Sequence, residues 1–342
     1  MNTRKLLVSV LMLVSVLLSA CAPVATNAPT AVPTAVLAAA VPTNPPPTQA
    51  PTEKPLPEHV VAEWTIVKPE DIVFGFDSVW VPSRRSPNVT TRIDPVTNLV
   101  IAVIEGTGYL AKSAVVSGDA VWIAGQRYDL APIDPSTNTV GTKVLGNHPR
   151  IAYGFDSIWA VGHQGEPLDR VEPATSKIIA SIQLADTVTD PTEENDVLVT
   201  ASAVWVVVWN GQLIKVDPVT NSVVLRTTFD KVVEQAKAQT TVPTGKGTEF
   251  IWLGLRNGLV RIDSNTGAGL SFLKTQVGSI AVTDDAIWVS GNGQINRVNV
   301  ATNQIDATYK LGAGTPIVRI GLGSIWVAYS DANLVQRLDV AP

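Results

Sequence analysis

The chain of 342 residues contains one cysteine, two methionines and three histidines. A single cysteine closes no intramolecular disulfide and cannot supply a zinc-finger ligand set. Charge of either sign is scarce: 16% of residues are Asp, Glu, Lys or Arg, where about 25% is usual for soluble proteins. A basic excess is also missing, since 25 Lys and Arg face 30 Asp and Glu. Nucleic-acid binders normally carry a basic footprint that neutralises phosphates, so no nucleic-acid partner is expected. No Gly-x-Ser-x-Gly elbow is present, and the TGKG string at residues 244–247 lacks Walker spacing. Length alone suggests two domains of roughly 150 residues each, a suggestion that the internal repeats below replace.

What is present begins with a leader. Arg4 and Lys5 precede the apolar run Leu6–Leu18, 13 residues long, against ~20 needed to span a bilayer. The run therefore reads as a cleaved signal-peptide core over residues 1–20. It ends at Leu18-Ser19-Ala20-Cys21, which resembles the lipobox of bacterial lipoproteins. That resemblance implies cleavage before Cys21, diacylation of its sulfur and acylation of the new N-terminus. More than one acyl chain is what stable anchoring requires. The expected address is the bacterial cell envelope, with the chain lipid-anchored to a membrane and facing outside the cytoplasm.

Residues 22–57 hold ten of the 24 prolines, mixed with Thr, Ala and Val, and only Glu53 and Lys54 carry charge. Such a segment buries too little apolar surface to offset chain entropy, and proline biases it toward polyproline II. It reads as a disordered tether that spans on the order of 110 Å when fully extended.

Residues 58–342 repeat. Trp80, Trp122, Trp159, Trp205, Trp252, Trp288 and Trp326 recur at spacings of 42, 37, 46, 47, 36 and 38, inside strings such as DSVWV, DAVWI, DSIWA and GSIWV. Eleven to fourteen residues after each Trp comes Asp94, Asp134, Glu172, Asp217, Asp263, Asn299 or Asp339, in strings such as RIDPVTN, PIDPSTN and KVDPVTN. β-Branched and aromatic runs broken by Gly, Asp and Pro are strands and turns. In Asp-Pro-x-Thr-Asn the Asp accepts local backbone hydrogen bonds, Pro presets φ, and Asn tolerates the left-handed conformation. A calcium reading of these carboxylates fails on their spread of one per repeat, because Ca²⁺ wants six or more oxygens.

Four-stranded repeats of about 40 residues are propeller blades. The expected fold is all-β: a seven-bladed β-propeller whose tryptophans wedge between blades. The last repeat ends before a fourth strand, and Val60–Val67 has the character of one. It is expected to pair with the final blade and close the ring, which removes two exposed edges. Residues 229–247, with FDKVVEQAKAQ, read as helical turns inserted between blades.

The string [S/A]-[V/I]-W-V followed by R-[I/V]-D-P-x-T-N resembles the repeat of the virginiamycin B (streptogramin) lyase-like and YVTN-type propellers, over essentially all of 58–342. For the lyases, the resemblance implies Mg²⁺-dependent chemistry with essential His and Glu in the later blades. Here the histidines are His59, His148 and His163, none of them from Trp205 onward. The expectation is therefore a ligand- or partner-binding module without catalysis and without a cofactor. Two alternatives stay open: a metal-dependent C–O lyase or lactone hydrolase at the channel mouth, to which Asp71, Asn195 and Asp196 would contribute, and an envelope-assembly scaffold.

In propellers the loops between second and third strands share one face with the loops between blades. That rule collects Arg84, Arg85, Arg127, Tyr128, His148, Arg150, His163, Glu166, Trp209, Asn210, Arg256, Tyr329 and Asp331 as the candidate ligand or partner face. Arg and exposed aromatics are enriched at binding hot spots, and Trp209, outside the repeat register, is the favoured anchor. His148 and His163 are expected as solvated loop residues. The ligand class, small molecule, glycan or protein, is left open, and the propeller is expected to be monomeric. Without residues 1–57 it carries 22 basic against 29 acidic side chains, which disfavours anionic surfaces as partners.

Overall fold

In the computed structural model the described residues are 59–85, 88–108, 110–125, 128–163, 165–184, 195–208, 211–228, 240–241, 250–255, 257–311 and 314–339. The leader, Cys21, the tether and the expected helical turns at 229–239 lie outside them.

The described residues contain no helix and form seven antiparallel sheets, the blades of a propeller, as the repeats require. Blade 1 runs Val73–Gly75, Ser78–Pro82, Val89–Ile93 and Val100–Glu105 from the inside out. In blade 2 the outer position is shared by Thr139–Val140 and Val144–Gly146, both paired with Tyr128–Asp134. The ring closes as expected. Val60–Thr65 pairs antiparallel with Leu334–Leu338 and supplies the fourth strand of blade 7. Trp64 of this closing strand stacks on Trp326 at 5.4 Å and donates from Nε1 to the Asn98 carbonyl of blade 1 at 3.1 Å.

Each repeat tryptophan sits in a second strand and is at most 1% exposed. Both faces of these strands are buried, because each blade is sandwiched between neighbours. The apolar core is consequently a set of layers between blades. Trp80 packs with Val121 and Ile133 of blade 2, Trp205 with Ile251 and Leu253 of blade 5, and Trp326 with Val79 and Ile93 of blade 1. Burying such a ring removes ~150–250 Å² from water.

The Asp-Pro-x-Thr-Asn turns behave as their chemistry demands. Asp94 Oδ1 accepts from the Val96 and Thr97 amides, and Asp134 and Asp263 repeat the pattern. Asn98, Asn138, Asn221 and Asn303 adopt φ of 52–59°, with Gly267 at 72° in the same role. These amide hydrogen bonds, led by the one from Val96, hold the Asp94 carboxyl below the ordinary Asp range.

The arginine of R-[I/V]-D has its own function in the ring. It lies directly opposite the repeat Trp across the second and third strands, as Trp80 does Arg92 and Trp159 does Arg170. A β-bulge follows immediately, at Arg92/Ile93 and Arg170/Val171, and such bulges re-aim side chains. The guanidinium covers its own Trp, at 4.6 Å for Arg92, and reaches the turn of the next blade. Arg92 donates to Pro135 O and Asn138 Oδ1, and Arg170 to Pro218 O and Asn221 Oδ1. Arg337 does the same to Pro95 and Asn98 across the closure. Blade 2 has Pro132 opposite Trp122 and so lacks the clamp. In blade 6, Arg297 has no third-to-fourth-strand turn ahead of it and pairs with Asp285 and Asp306 of its own blade.

Candidate functional site: the channel and its mouth

The inner strands surround a channel of about 440 Å³, within the usual size range of small-molecule sites. Antiparallel alternation brings the starts of the inner strands, the between-blade loops and the second-to-third-strand loops to the same face. The chain thereby places a charged tier at one mouth. Asp71 precedes the inner strand of blade 1, while Arg150 and Asp196 begin those of blades 3 and 4 (Arg150–Gly154 and Asp196–Val199). Arg319, in Ile317–Gly321 of blade 7, lines the channel with them.

Asp71 is 6% exposed and is held by Arg319, by the Ala114 amide and by the Ile72 amide. Its Oδ1 lies 2.7 Å from Arg319 Nη2, and its Oδ2 accepts from the Ala114 amide of blade 2 at 3.1 Å. Arg319 also donates to Ser279 Oγ of blade 6 at 3.1 Å. One ion pair thus joins the inner strands of blades 6, 7 and 2 to the entry of blade 1. On the far side Arg150 donates to the Lys112 carbonyl at 3.3 Å, and Asp196 accepts from the Val197 amide at 2.7 Å.

The opposite end of the inner strands is apolar and tight. A Cβ on Gly75 would meet Val116, on Gly154 would meet Val199, and on Gly321 would meet Phe74, all under 3.0 Å. Glycine at the last position of these strands lets the neighbouring side chain seat over the backbone. Phe74, Val116 and Val199 also line the channel together with Tyr153, so it descends from a charged tier to a mainly apolar and aromatic one.

The expected face residues fall into three groups. On the rim where blade 7 meets blade 1, Glu70 accepts from Ser330 Oγ at 3.0 Å and lies 3.5 Å from Arg84 Nη1. Lys68 pairs with the exposed Asp331 at 2.8 Å, and this hydrogen bond, with the Lys68 and Arg85 charges, holds the Asp331 carboxyl below its usual range. Tyr329 points into the core, 8% exposed, and burial pushes its hydroxyl up to about 12. It is packing there, not surface.

The second group belongs to blade 3. Glu166 accepts from the His163 amide at 2.8 Å and from Asn147 Nδ2 at 3.1 Å, closing its loop. Asn195 donates to the His163 carbonyl at 3.2 Å, so it ties loops together and does not face Asp71. His148 differs from the solvated histidine expected. It is 5% exposed, with Nε2 2.7 Å from Asp169 Oδ2, and Asp169 Oδ1 accepts from Ser181 Oγ at 2.6 Å. Gly146 makes room, since a Cβ there would lie 2.0 Å from the imidazole. The third group, Arg127, Trp209, Asn210 and Arg256 with the Tyr128 side chain, lies outside the described residues.

Of the three channel residues named for a metal site, Asp71 and Asp196 line the channel and Asn195 does not. Among the described residues no group of three or more His, Cys, Asp or Glu side chains converges. Arg319 was missed from sequence, although a lone cation inside the apolar strand IVRIG is itself a signal. Asp169 carried none.

No family model matches the sequence, and no curated protein matches it. Solved structures do resemble the fold. The Cps50 (Swd1) β-propeller domain of Myceliophteria thermophila superposes with a TM-score of 0.66 at 10% identity, over 83% of this chain and 100% of that one. Kuenenia stuttgartiensis hydrazine synthase gives a TM-score of 0.67 at 10% identity, over 82% of this chain and 98% of that one. At such identity the likeness extends to the β-propeller fold alone.

Proposed function

We propose that this chain is a bacterial lipoprotein of the streptogramin lyase-like or YVTN type, tethered through Cys21, whose propeller binds a ligand or partner at the channel mouth without catalysing a reaction. The location rests on the leader and on the single cysteine at its end. The binding reading rests on one observation: the mouth is built of paired charges, Asp71 with Arg319, above a channel whose inner end is lined mainly by apolar and aromatic side chains. The candidate acid–base groups are engaged in holding structure, His148 by Asp169 and Glu166 by its own loop.

Palmitate labelling of the full chain in a bacterial host tests the tether. Label is expected in the parent and absent from Cys21→Ala; equal labelling of both refutes it. Calorimetric titration with Mg²⁺ and Ca²⁺ tests the non-catalytic reading. Stoichiometric binding that is lost in Asp196→Asn would favour a metal-dependent lyase or lactonase instead.

A further inference from the structure

We infer that the channel takes a small zwitterion with an apolar body, the chemistry of a free apolar α-amino acid, with its ammonium and carboxylate at the mouth and its side chain directed inward. The inference rests on the binding reading above and assigns the ligand class.

The order of charge around the mouth carries it. Going round the ring, Arg319 of blade 7 is followed by Asp71 at blade 1, and Arg150 of blade 3 by Asp196 of blade 4. Among the described residues, positive and negative groups therefore alternate, two of each. A simple anion attracted by either arginine also meets an adjacent aspartate, and a simple cation meets the reverse. Like-charge juxtaposition disfavours both. A group carrying both signs a few ångströms apart satisfies each side at once. The mouth is held in place for this, because the Asp71 carboxylate is fixed by Arg319, the Ala114 amide and the Ile72 amide. Such prior fixation lowers the ordering cost of binding.

The depth of the channel selects the body. Asp196 and Val199 are the first and last residues of one inner strand, so the charged and apolar tiers stand roughly 10 Å apart at ~3.3 Å per residue. Phe74, Val116 and Val199 offer the lower tier no charge and no hydroxyl, and Tyr153, at the register position of Phe74 in blade 3, adds an aromatic ring with a single hydroxyl. An alkyl or aromatic side chain gains from burial there at ~25 cal/mol per Å². A strongly polar body would lose its hydration there, with the Tyr153 hydroxyl as the one side-chain partner among the described lining residues of this tier.

The test is calorimetry on the full chain with L-phenylalanine, against 3-phenylpropionate and phenethylamine, which each keep one of its two charges. Phenylalanine is expected to bind about tenfold or more tighter than either, a difference of ~1.4 kcal/mol. Asp196→Asn, of nearly unchanged shape, and Arg150→Met are each expected to erase that preference while the melting temperature stays close to the parent's. Equal affinity for the three compounds overturns the inference, and so does a preference that survives in both variants. Absence of heat from phenylalanine overturns the ligand class as well. Palmitate on Cys21, together with a different ligand whose binding is weakened by Asp196→Asn, would then leave the tethered binding reading in place.

Discussion

Arg337 Nη1 donates to Asn98 Oδ1 at 3.1 Å, across the seam where the last blade meets the first. The same guanidinium lies over Trp326, 5.6 Å from its centroid, so one side chain joins the packing wedge of blade 7 to the turn of blade 1. Equivalent contacts recur within the ring, from Arg92 to Asn138 and from Arg170 to Asn221. The seam thus uses the same device as the interior joints.

Arg337→Met is expected to destabilise the propeller by ~1.5–3 kcal/mol, the range for hydrogen bonds to charged groups. Asn98→Gly keeps the positive φ of 59° accessible while removing the acceptor. In a double-mutant cycle by urea unfolding the two changes should couple by ~0.5–3 kcal/mol. Strict additivity would show that the contact contributes nothing.

Trp159 is fully buried between blades 3 and 4, against Val204 and Val216. Trp159→Ala is expected to cost ~3–5 kcal/mol through the cavity left behind. Thermal unfolding reads this directly, and an unchanged melting temperature would contradict the wedge role.

Deleting residues 58–68 removes the strand that covers Leu334–Leu338 and leaves an open edge on blade 7. Open edges pair with other chains. Light scattering on the truncated protein is expected to show association together with a lowered melting temperature. A monomer of parental stability would argue against closure by this strand.

Asp94, Asp134, Asp217 and Asp263 are all held below the ordinary Asp range. Hydrogen bonds from the Val96 amide, the Ser136 hydroxyl, the Val219 amide and the Thr266 amide, respectively, are the leading causes. A carboxyl depressed in the folded state adds stability that is fully present above its unfolded pKa, near 3.9, and is lost as pH falls through the folded value. The propeller should therefore lose stability below about pH 4. Asp94→Asn with Asp134→Asn should flatten that acid limb, as measured by urea midpoints against pH. Parallel limbs for parent and variant would show that the turns do not carry it.

The ring was legible because its signals are local and repeated. The signal of each Trp, each Asp-Pro turn and each positive-φ Asn is contained within one repeat, and even the closing strand announced itself as a β-run without a blade. The clamp was half legible: the Arg of R-[I/V]-D stood in the motif, but its partner lies one blade further on. The channel mouth was harder still. Asp71 and Arg319 meet only because the ring brings blade 7 back to blade 1, and no spacing in the chain encodes that approach. His148 lay in GNHPR, a string with every mark of a surface loop. Its burial depends on the space left beside Gly146 and on Asp169, which is contributed by the third strand of blade 3.

The ring closure also fixes an order of events. Glu63 and Gln336, hydrogen-bond partners in blade 7, are 273 residues apart. The closing strand is synthesised before every blade, and its partner is the last strand of the seventh blade to be made. The last joint therefore cannot form until the third strand of the seventh blade has been made. Contacts of such sequence separation form slowly, because the loop between them must first be closed. Any stop before Leu334 leaves Val60–Thr65 without its mate, so final cooperativity belongs only to the closed ring.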